Sequence, residues 1–542
     1  MDRRSFLGGL VASLGGPKAA SAAAGYPRFR PLTLSELYDA RLRFIGGVPA
    51  LSVGIGQGLE SAQIQADRPL RLFFEEKGLP KVVYRDEPVV LSSLVKAGTR
   101  RWWVRAATET RGQLAKIEAA ARQWKGTRRI VEAGALVALK GQVLDTRELR
   151  LWLGGGPREE LEPLRKQIFE AEGRAPALEA DLEAPKSKVQ ISDGQGRTLH
   201  MADGPVCVTT ARGAALAWSD RGRWAGHLYG LSDPEGRLSL VNTVSAERLL
   251  SGLVPAEMFA SAPVEALKAQ AVTARGAIFA KLGLRHFDVP FHLCAEQHCQ
   301  VYGGVEREDP RTDAAISSTR GLLAVRPRGQ AGEPLQVVPS VYSSTCGGFS
   351  ENNEVVWDQR PRPSLRGRLD GDPSDPLLRP FANGLNEDNI RAFLESEPPT
   401  FEARSSMVRA EKYRWRRRVE AETLNRMVAE LGVGQVQRLE ILGRGPGGRV
   451  HGVRVHGDRG EEEVLRELPV RRRFGGLNSG MFVVDHERDA TGRLLAVEFV
   501  GGGWGHGSGM CQVGAIGRAE KGQSFEEILA HYYGGAVVER LY

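Results

Sequence analysis

The sequence predicts an α+β protein with a β-rich N-terminal region, and three observations carry that prediction. Glycine supplies 65 of the 542 residues, about 12% against an average near 7%. It does not recur every third residue, so the excess predicts tight turns and strands rather than collagen. Short alternations of apolar and polar residues fill positions 48–95, the pattern of half-buried strands. The stretch from Pro263 repeats Val264, Leu267, Ala271, Ala274 and Ile278 at spacings of three and four, the pattern of an amphipathic helix. Hydrophobic residues at 41% and charged residues at 26% exclude a disordered polymer and a multi-span membrane protein. The length predicts two to four domains at roughly 100–200 residues each, large enough to bury several cores without disulfide staples.

Residues 1–24 read as a processing segment. Arg3 and Arg4 precede Ser5, Phe6 and Leu7, a short apolar stretch runs to Leu14, and Ala20-Ser21-Ala22 offers a small-residue cleavage site. This resembles a twin-arginine export signal, the alternative being a basic tail. The apolar run is too short and too glycine-rich to span a bilayer, so the expectation is a periplasmic or extracytoplasmic protein with no transmembrane segment once the signal is removed. Removal takes three cations and one anion and lowers the net charge from +8 to +6. That mild excess suits an anionic envelope better than nucleic acid. The basic runs Lys412–Arg418 and Arg471–Arg473 read as solvated faces.

Four regions are expected: 1–24, 25–98, 99–188 and 189–542. In the second, Leu51-Ser-Val-Gly-Ile and Leu70-Arg-Leu-Phe-Phe predict strands. The third opens with a strand, Arg101-Trp-Trp-Val-Arg, followed by a helix over about 111–124 with Leu114, Ile117, Ala121 and Trp124 on one face. The pattern then recurs as a strand, Leu149-Arg-Leu-Trp-Leu, and a helix from Pro157 to Glu172, with Trp103 and Trp152 in corresponding places. A duplicated strand–helix unit of this size resembles the small glycan-binding module called the SPOR domain. An ordinary α/β insertion is the other reading. Ala175–Lys188, rich in Ala, Glu and Pro, predicts a linker.

The fourth region begins with further strands ending in Leu238-Ser-Leu-Val-Asn-Thr-Val, then a helix near Ser245–Leu253. The helix from Pro263 has Ser261 as its expected N-cap and Gly283 as its stop. Ser340-Val-Tyr-Ser-Ser and Leu439–Val455 predict strands, and Gln359–Pro380 a long loop. Gly443-Arg-Gly-Pro-Gly-Gly448 formally matches a dinucleotide fingerprint. It is followed by an alternating stretch rather than a helix, which removes the N-terminus that would hold a pyrophosphate.

Several residues in this region have the chemistry of a site. Glu257 stands alone as an acid among Leu253, Val254, Met258 and Phe259. Apolar surroundings raise a carboxyl pKa, as a general acid requires; the alternative is a surface glutamate at a helix end. Lys268 and Arg275 lie two helical turns apart and face either a polar groove or water. His286, His292, Cys294, His298 and Cys299 fall within fourteen residues. Thiolates and imidazoles at that density can hold zinc, the gap between Cys294 and Cys299 also permits a disulfide, and free thiols are the third reading. Five cysteines in all leave at least one unpaired. Gly501–Gln512 carries enough glycine to require positive φ angles, and its polar groups are His506 and Gln512. A Cys–His hydrolase using Cys346 or Cys511 with His506 is the weakest reading, since nothing in the sequence orients the histidine.

Six ordered blocks resemble the SpoIID/LytB domain family of sporulation stage II D proteins and amidase enhancers. They are Leu253–Met258, Glu265–Arg275, Cys299–Gly303, Ser344–Gly348, Gly505–Gln512 and Ile528–Gly534. The resemblance implies a SpoIID-type α+β catalytic core. It further implies a peptidoglycan lytic transglycosylase that cuts between N-acetylmuramic acid and N-acetylglucosamine and leaves a 1,6-anhydro end. The family's catalytic acid maps onto Glu257 and its groove-lining cations onto Lys268 and Arg275. Tyr342 or Tyr533 would stack or hydrogen-bond near the reacting sugar, and His506 and Gln512 would contact substrate. No cofactor is required for that chemistry. Some members bind zinc near the Cys-x-x-x-x-His-Cys block, which implies a metal at Cys294 and Cys299 with His286 or His298. The chain departs from the family pattern at Cys511, where Ser is usual, and at Ser508, usually Val; Cys511 then pairs with Cys346 or packs unpaired. The implied partners are glycan strands and a cell-wall amidase, the latter central to the alternative of a non-catalytic amidase enhancer.

Overall fold

The two β-rich stretches on either side of residues 99–188 build one structure. In the computed structural model, which describes residues 30–39, 41–98, 100–139, 141–172, 176–182, 186–210, 213–219, 221–296, 298–330, 333–357 and 360–542, the strand Val48–Leu59 pairs antiparallel with Leu238–Ser245. Around that pair an eight-stranded sheet forms, running from Arg43–Ile45 at one edge to Leu79–Arg85 at the other. A second, six-stranded sheet combines Ser61–Gln65 and Val89–Ser93 with strands between residues 189 and 224. Alternation decides its facing: in Ser61–Gln65 only Ala62 and Ile64 are buried. The sheets pack face to face where Gly230 of the first meets Leu91 of the second. A Cβ at Gly230 would lie 2.4 Å from the leucine Cδ1. The expected boundaries at 98 and 189 therefore mark an insertion into one β structure rather than ends of separate domains, because the strands Val48–Leu59, Ser61–Gln65 and Leu70–Glu76 each take one of their partners from beyond residue 200.

The insertion is a compact α/β unit. Its elements are the strand Arg100–Thr110, helix α1 (Leu114–Gln123), the strand Arg128–Ala133, a hairpin, the strand Glu148–Gly156, helix α2 (Glu162–Glu172) and the strand Ala177–Leu182. The antiparallel sheet order places the last strand beside the first, then the third, then the second, a split βαβ arrangement. Trp103 and Trp152 stack at 5.9 Å between ring centroids. The expected linker from 175 contains a strand instead. Leu178 and Ala180 alternate inward, and the backbone pairs with residues 100–105. Leu114, expected on the inner face of α1, is exposed.

Two helices lead to the site. Helix α3 (Ala246–Glu257) is capped by Ser245, whose Oγ accepts the Arg248 N–H. Helix α4 (Val264–Phe279) is buried on nearly every side, and Lys268 is its only incompletely buried residue after Glu265. Its alanines and Gly276 allow that enclosure: a Cβ at Gly276 would sit 2.6 Å from Ser340 Oγ. Pro263, not Ser261, occupies the N-cap position. A residue preceding proline is kept out of the helical region, so Ser261 lies too far back to cap. The helix ends before Gly283. That glycine, at φ +66°, instead permits contact with the inserted unit, where the Gly134 N–H donates to the Gly283 carbonyl.

Past α4 the chain makes a long excursion and returns. Tyr342–Ser343 pairs in parallel with Met510–Cys511, so the segment between closes on itself. It contains two three-stranded antiparallel sheets around a valine- and phenylalanine-rich core. The expected strand Leu439–Val455 is two strands, Val436–Ile441 and Gly452–Gly457, joined through the glycine-rich loop. The loop expected over Gln359–Pro380 forms no strand or α-helix from 360 onward. Helix α5 (Gln512–Glu520) follows the return strand directly. No helix among the described residues is long and apolar enough to cross a membrane, and the export signal expected over residues 1–24 lies outside the described residues.

Candidate active site

Glu257 is the last residue of α3. Pro255 in the final turn removes one backbone donor, and the chain leaves the helix at Met258. The carbonyl of Glu257 accepts a 2.8 Å bond from Gln512 Nε2, which also donates to Gln270 Oε1. The backbone under the carboxyl is thus fixed from α5. The carboxyl itself is half-buried and hydrogen-bonded to the Tyr342 hydroxyl and the Val301 N–H, with the Lys281 ammonium nearby. Burial raises its pKa above the ordinary glutamate value, and the three partners only partly offset that rise. The same pairing and burial push the Tyr342 phenol well up, so it stays a donor.

Tyr342 reaches Glu257 from one strand of a two-residue ladder, and Gln512 from the start of α5 just past the other strand. Tyr342 pairs with Met510, and Cys511 then caps α5 through its sulfur, which accepts the Gly514 N–H at 3.3 Å. Tyr533, fully buried, donates to the Val341 carbonyl at 2.9 Å. It braces the Tyr342 strand from behind and presents nothing to a ligand. Gln512 is similarly occupied with the protein.

Between Gly503 and Gly509 every second residue is a glycine at positive φ, as the composition of that segment predicts. His506 sits among them. Its Nδ1 accepts the Ser508 N–H at 3.1 Å, and its ring also bonds the Tyr342 backbone. With Nδ1 accepting, Nε2 carries the proton. Burial and the nearby Arg449 charge push the imidazole down to about 3, so it is neutral. Trp357 packs on it at 4.8 Å, and Trp504 two residues earlier is 42% exposed with Lys412 over its ring.

The two basic residues of α4 separate. Arg275 is fully buried, its guanidinium held by both oxygens of Glu247 at 3.0 and 2.9 Å and by the Leu322 carbonyl at 3.1 Å. It does not line a groove. The enclosure of α4 from Ala269 onward is the reason, since every residue there is buried. Lys268 remains partly exposed, paired with Glu265 at 2.7 Å and lying over Phe525.

The cysteine–histidine cluster forms without a disulfide. One ligand atom each from His286, Cys294, His298 and Cys299 lies within 4.8 Å of the other three, and all five cysteines are free thiols. His286 Nε2 lies 3.2 Å from Cys299 Sγ, and His298 Nδ1 lies 3.6 Å from Cys294 Sγ. Hydrogen bonds from Cys299 and His286 pull the Cys294 thiol down, and Cys299 keeps the shared proton. Two sulfurs and two imidazoles in such a group fit a tetrahedral structural zinc site. His292 is not part of it. That ring is buried against Ser52, with Nδ1 at 2.9 Å from the hydroxyl. The cluster continues directly into the site: the Cys299 carbonyl holds Lys281 Nζ at 2.7 Å, and Val301, two residues on, bonds Glu257.

Lys281, Val301, Trp357 and Trp504 are not apparent from sequence reasoning. Trp504 lies inside the glycine-rich segment, where an aromatic flanked by glycines is a readable signal. Lys281 and Trp357 carry none, because only the fold brings them near Glu257 and His506.

Sequence comparison finds relatives for part of this chain. A family model described as Stage II sporulation protein matches residues 234–325, and one described as Domain of unknown function (DUF8618) matches 351–509. An uncharacterised protein of Brachyspira hyodysenteriae is 26% identical over 298 residues, covering 55% of this chain and 67% of that protein. The Amidase enhancer of Bacillus subtilis is 26% identical over 314 residues, covering 53% of this chain but only 40% of its own length. Stage II sporulation protein D of Bacillus subtilis is 25% identical over 316 residues, 55% of this chain and 75% of that protein. The chain carries a domain of the SpoIID/LytB family.

Proposed function

We propose that this chain is an exported lytic transglycosylase of peptidoglycan with Glu257 as its acid and base. The observation that carries the reading is the state of that carboxyl: half-buried, raised in pKa, and hydrogen-bonded by a phenol. The groups that bear most on it are Tyr342, Lys281 and the Val301 N–H, none of them a second carboxylate. An ordinary glycosidase needs two carboxyls. Forming an internal anhydro bond needs one. Glu257 protonates the glycosidic oxygen as the bond to the anomeric carbon breaks. The carboxylate then accepts the proton of the sugar's own 6-hydroxyl as that oxygen bonds the same carbon, and the acid is restored. Tyr342 would steady the carboxylate formed midway, and the exposed rings of Trp504 and Trp357 would stack on sugar faces beside it. The inserted unit at 100–182, built from a repeated strand–helix pattern, supports a glycan-binding module of the SPOR kind.

Zinc would be held by His286, Cys294, His298 and Cys299. With four protein ligands it supplies structure rather than an activated water. Its part would be to fix residues 299–301 and with them the Val301 bond to Glu257. That ligand set also argues against a zinc hydrolase. The relative named Amidase enhancer supports a second reading, in which the protein binds glycan and stimulates a cell-wall amidase without cutting.

The test is mass spectrometry of products from intact and peptide-stripped peptidoglycan treated with wild type or Glu257→Gln. Anhydro ends from wild type alone would establish the enzyme. Products from neither protein, with amidase stimulation surviving Glu257→Gln, would establish the enhancer instead.

A further inference from the structure

A second group of metal-binding side chains lies in the core behind the site. Cys346, Asp370, Glu402 and Cys511 each place a ligand atom within 4.8 Å of the other three, and all four residues are completely buried. They come from separate parts of the chain: the residues after the Tyr342 strand, two loops of the long excursion, and the residue that caps α5.

Hydrogen bonding within the group is lopsided. Glu402 Oε2 accepts the Cys346 and Gly348 N–H groups at 3.1 and 2.9 Å and both thiols at 3.0 and 3.4 Å. Its other oxygen, Oε1, has no partner although no solvent reaches it. Asp370 repeats the pattern. Its Oδ1 takes Arg518 Nε at 2.9 Å and the Tyr532 hydroxyl at 2.8 Å, while Oδ2 has none. An unpartnered carboxylate oxygen in a core costs about 1–3 kcal/mol or more, and two in one cluster point to a common cation. Space is kept for the arrangement at Gly514, where a Cβ would lie 2.2 Å from Asp370 Oδ2.

We propose that Cys346, Asp370, Glu402 and Cys511 form a structural zinc site distinct from the Cys–His cluster. Two thiolates with two carboxylates make a four-coordinate set suited to zinc, where an all-oxygen set would favour magnesium or calcium. The Arg518–Asp370 pair is the only ion pair within this group of residues. A divalent cation would offset two of the three negative charges of Glu402 and the two thiolates, whose protons are displaced to solvent. The site would staple the strand carrying Tyr342 to the helix carrying Gln512, the two elements that hold Glu257. This assignment does not depend on the reaction proposed above.

Metal analysis of the chain purified without chelator tests it. Wild type is expected to hold two equivalents of zinc, and Cys294→Ser/Cys299→Ser to retain one. On replacement with cobalt(II), that variant should still show the near-ultraviolet charge transfer of two thiolates. Glu402→Gln, a conservative change in case Cys346→Ser/Cys511→Ser fails to fold, should lose the second equivalent and keep the first. A folded Cys294→Ser/Cys299→Ser protein with no metal and no cobalt–thiolate band would overturn the proposal. So would a Cys346–Cys511 disulfide in the peptide map of wild type.

Discussion

Arg275→Ala separates a buried strut from a groove-lining cation. In the structure the guanidinium makes three bonds and has no solvent exposure, while the Glu247 side chain keeps 17%. Truncation leaves Glu247 with two neutral donors, the Tyr542 hydroxyl at 2.6 Å and the Gly321 N–H at 3.3 Å. Breaking a buried ion pair costs about 3–5 kcal/mol. The remaining donors and partial hydration of Glu247 place this one at the low end, and the orphaned Leu322 carbonyl adds about 1 kcal/mol. The expected loss is therefore about 4 kcal/mol, a urea midpoint lower by about 1–2 M for the helical core if its slope is near 2–3 kcal/mol/M. Replacing both partners by Arg275→Met and Glu247→Leu should cost less than the sum of the single changes, because neither leaves a charge behind. Lys268→Ala, which removes a partly exposed pair, should cost under about 1 kcal/mol. Urea unfolding followed by tyrosine and tryptophan fluorescence reads all of these. Glycan sedimentation at low temperature reads binding by the folded fraction. An unchanged Arg275→Ala midpoint with lost glycan binding would refute the structural assignment.

Other expectations follow from the same contacts. Glycan cleavage should fall as pH rises through the elevated pKa of Glu257, since the proton-donating form is lost, and Glu257→Gln should give no anhydro product at any pH while keeping the wild-type circular dichroism spectrum. Glu351 is buried and pushed up to about 7 from an ordinary 4.5; a carboxyl raised by folding contributes most below the lower value and loses that contribution as pH rises to the upper one. The stability difference between Glu351→Gln and wild type should therefore move by about 3 kcal/mol in favour of the variant from pH 4.5 to 7.5, and parallel curves would contradict it. Gly507→Ala should destabilise strongly, because a Cβ there would lie 1.9 Å from Arg449 Nη2 at φ +68°; a thermal midpoint equal to wild type would show that the buried arginine can move aside.

Local chemistry was readable wherever it was written in neighbouring residues. The strands at 51 and 70, the repeat that sets Trp103 against Trp152, the glycine-rich loop around His506 and the crowding of His286, Cys294, His298 and Cys299 all follow from composition and spacing. The elevated pKa expected for Glu257 from its apolar sequence neighbours has the direction found, with burial as its cause. Periodicity misled at α4. Lys268 and Arg275 share a face by spacing, but the helix is buried all round from Ala269 onward, and Arg275 is satisfied by Glu247 from α3.

Alternation and glycine content by themselves determined an α+β chain with a β-rich start, and ordered motifs pointed to the family of one of its domains. Tertiary structure alone decided the long-range strand pairs, since the strands Val48–Leu59, Ser61–Gln65 and Leu70–Glu76 each take one partner from beyond residue 200 and no local pattern records so distant a register. It also decided what surrounds Glu257. Tyr342 and Gln512 converge there because a parallel two-residue ladder closes an excursion of more than 160 residues, and the convergence of Cys346, Asp370, Glu402 and Cys511 behind it has the same cause. Such sites are properties of the closed chain: their distances are set by packing between segments whose separation in sequence carries no information about their separation in space.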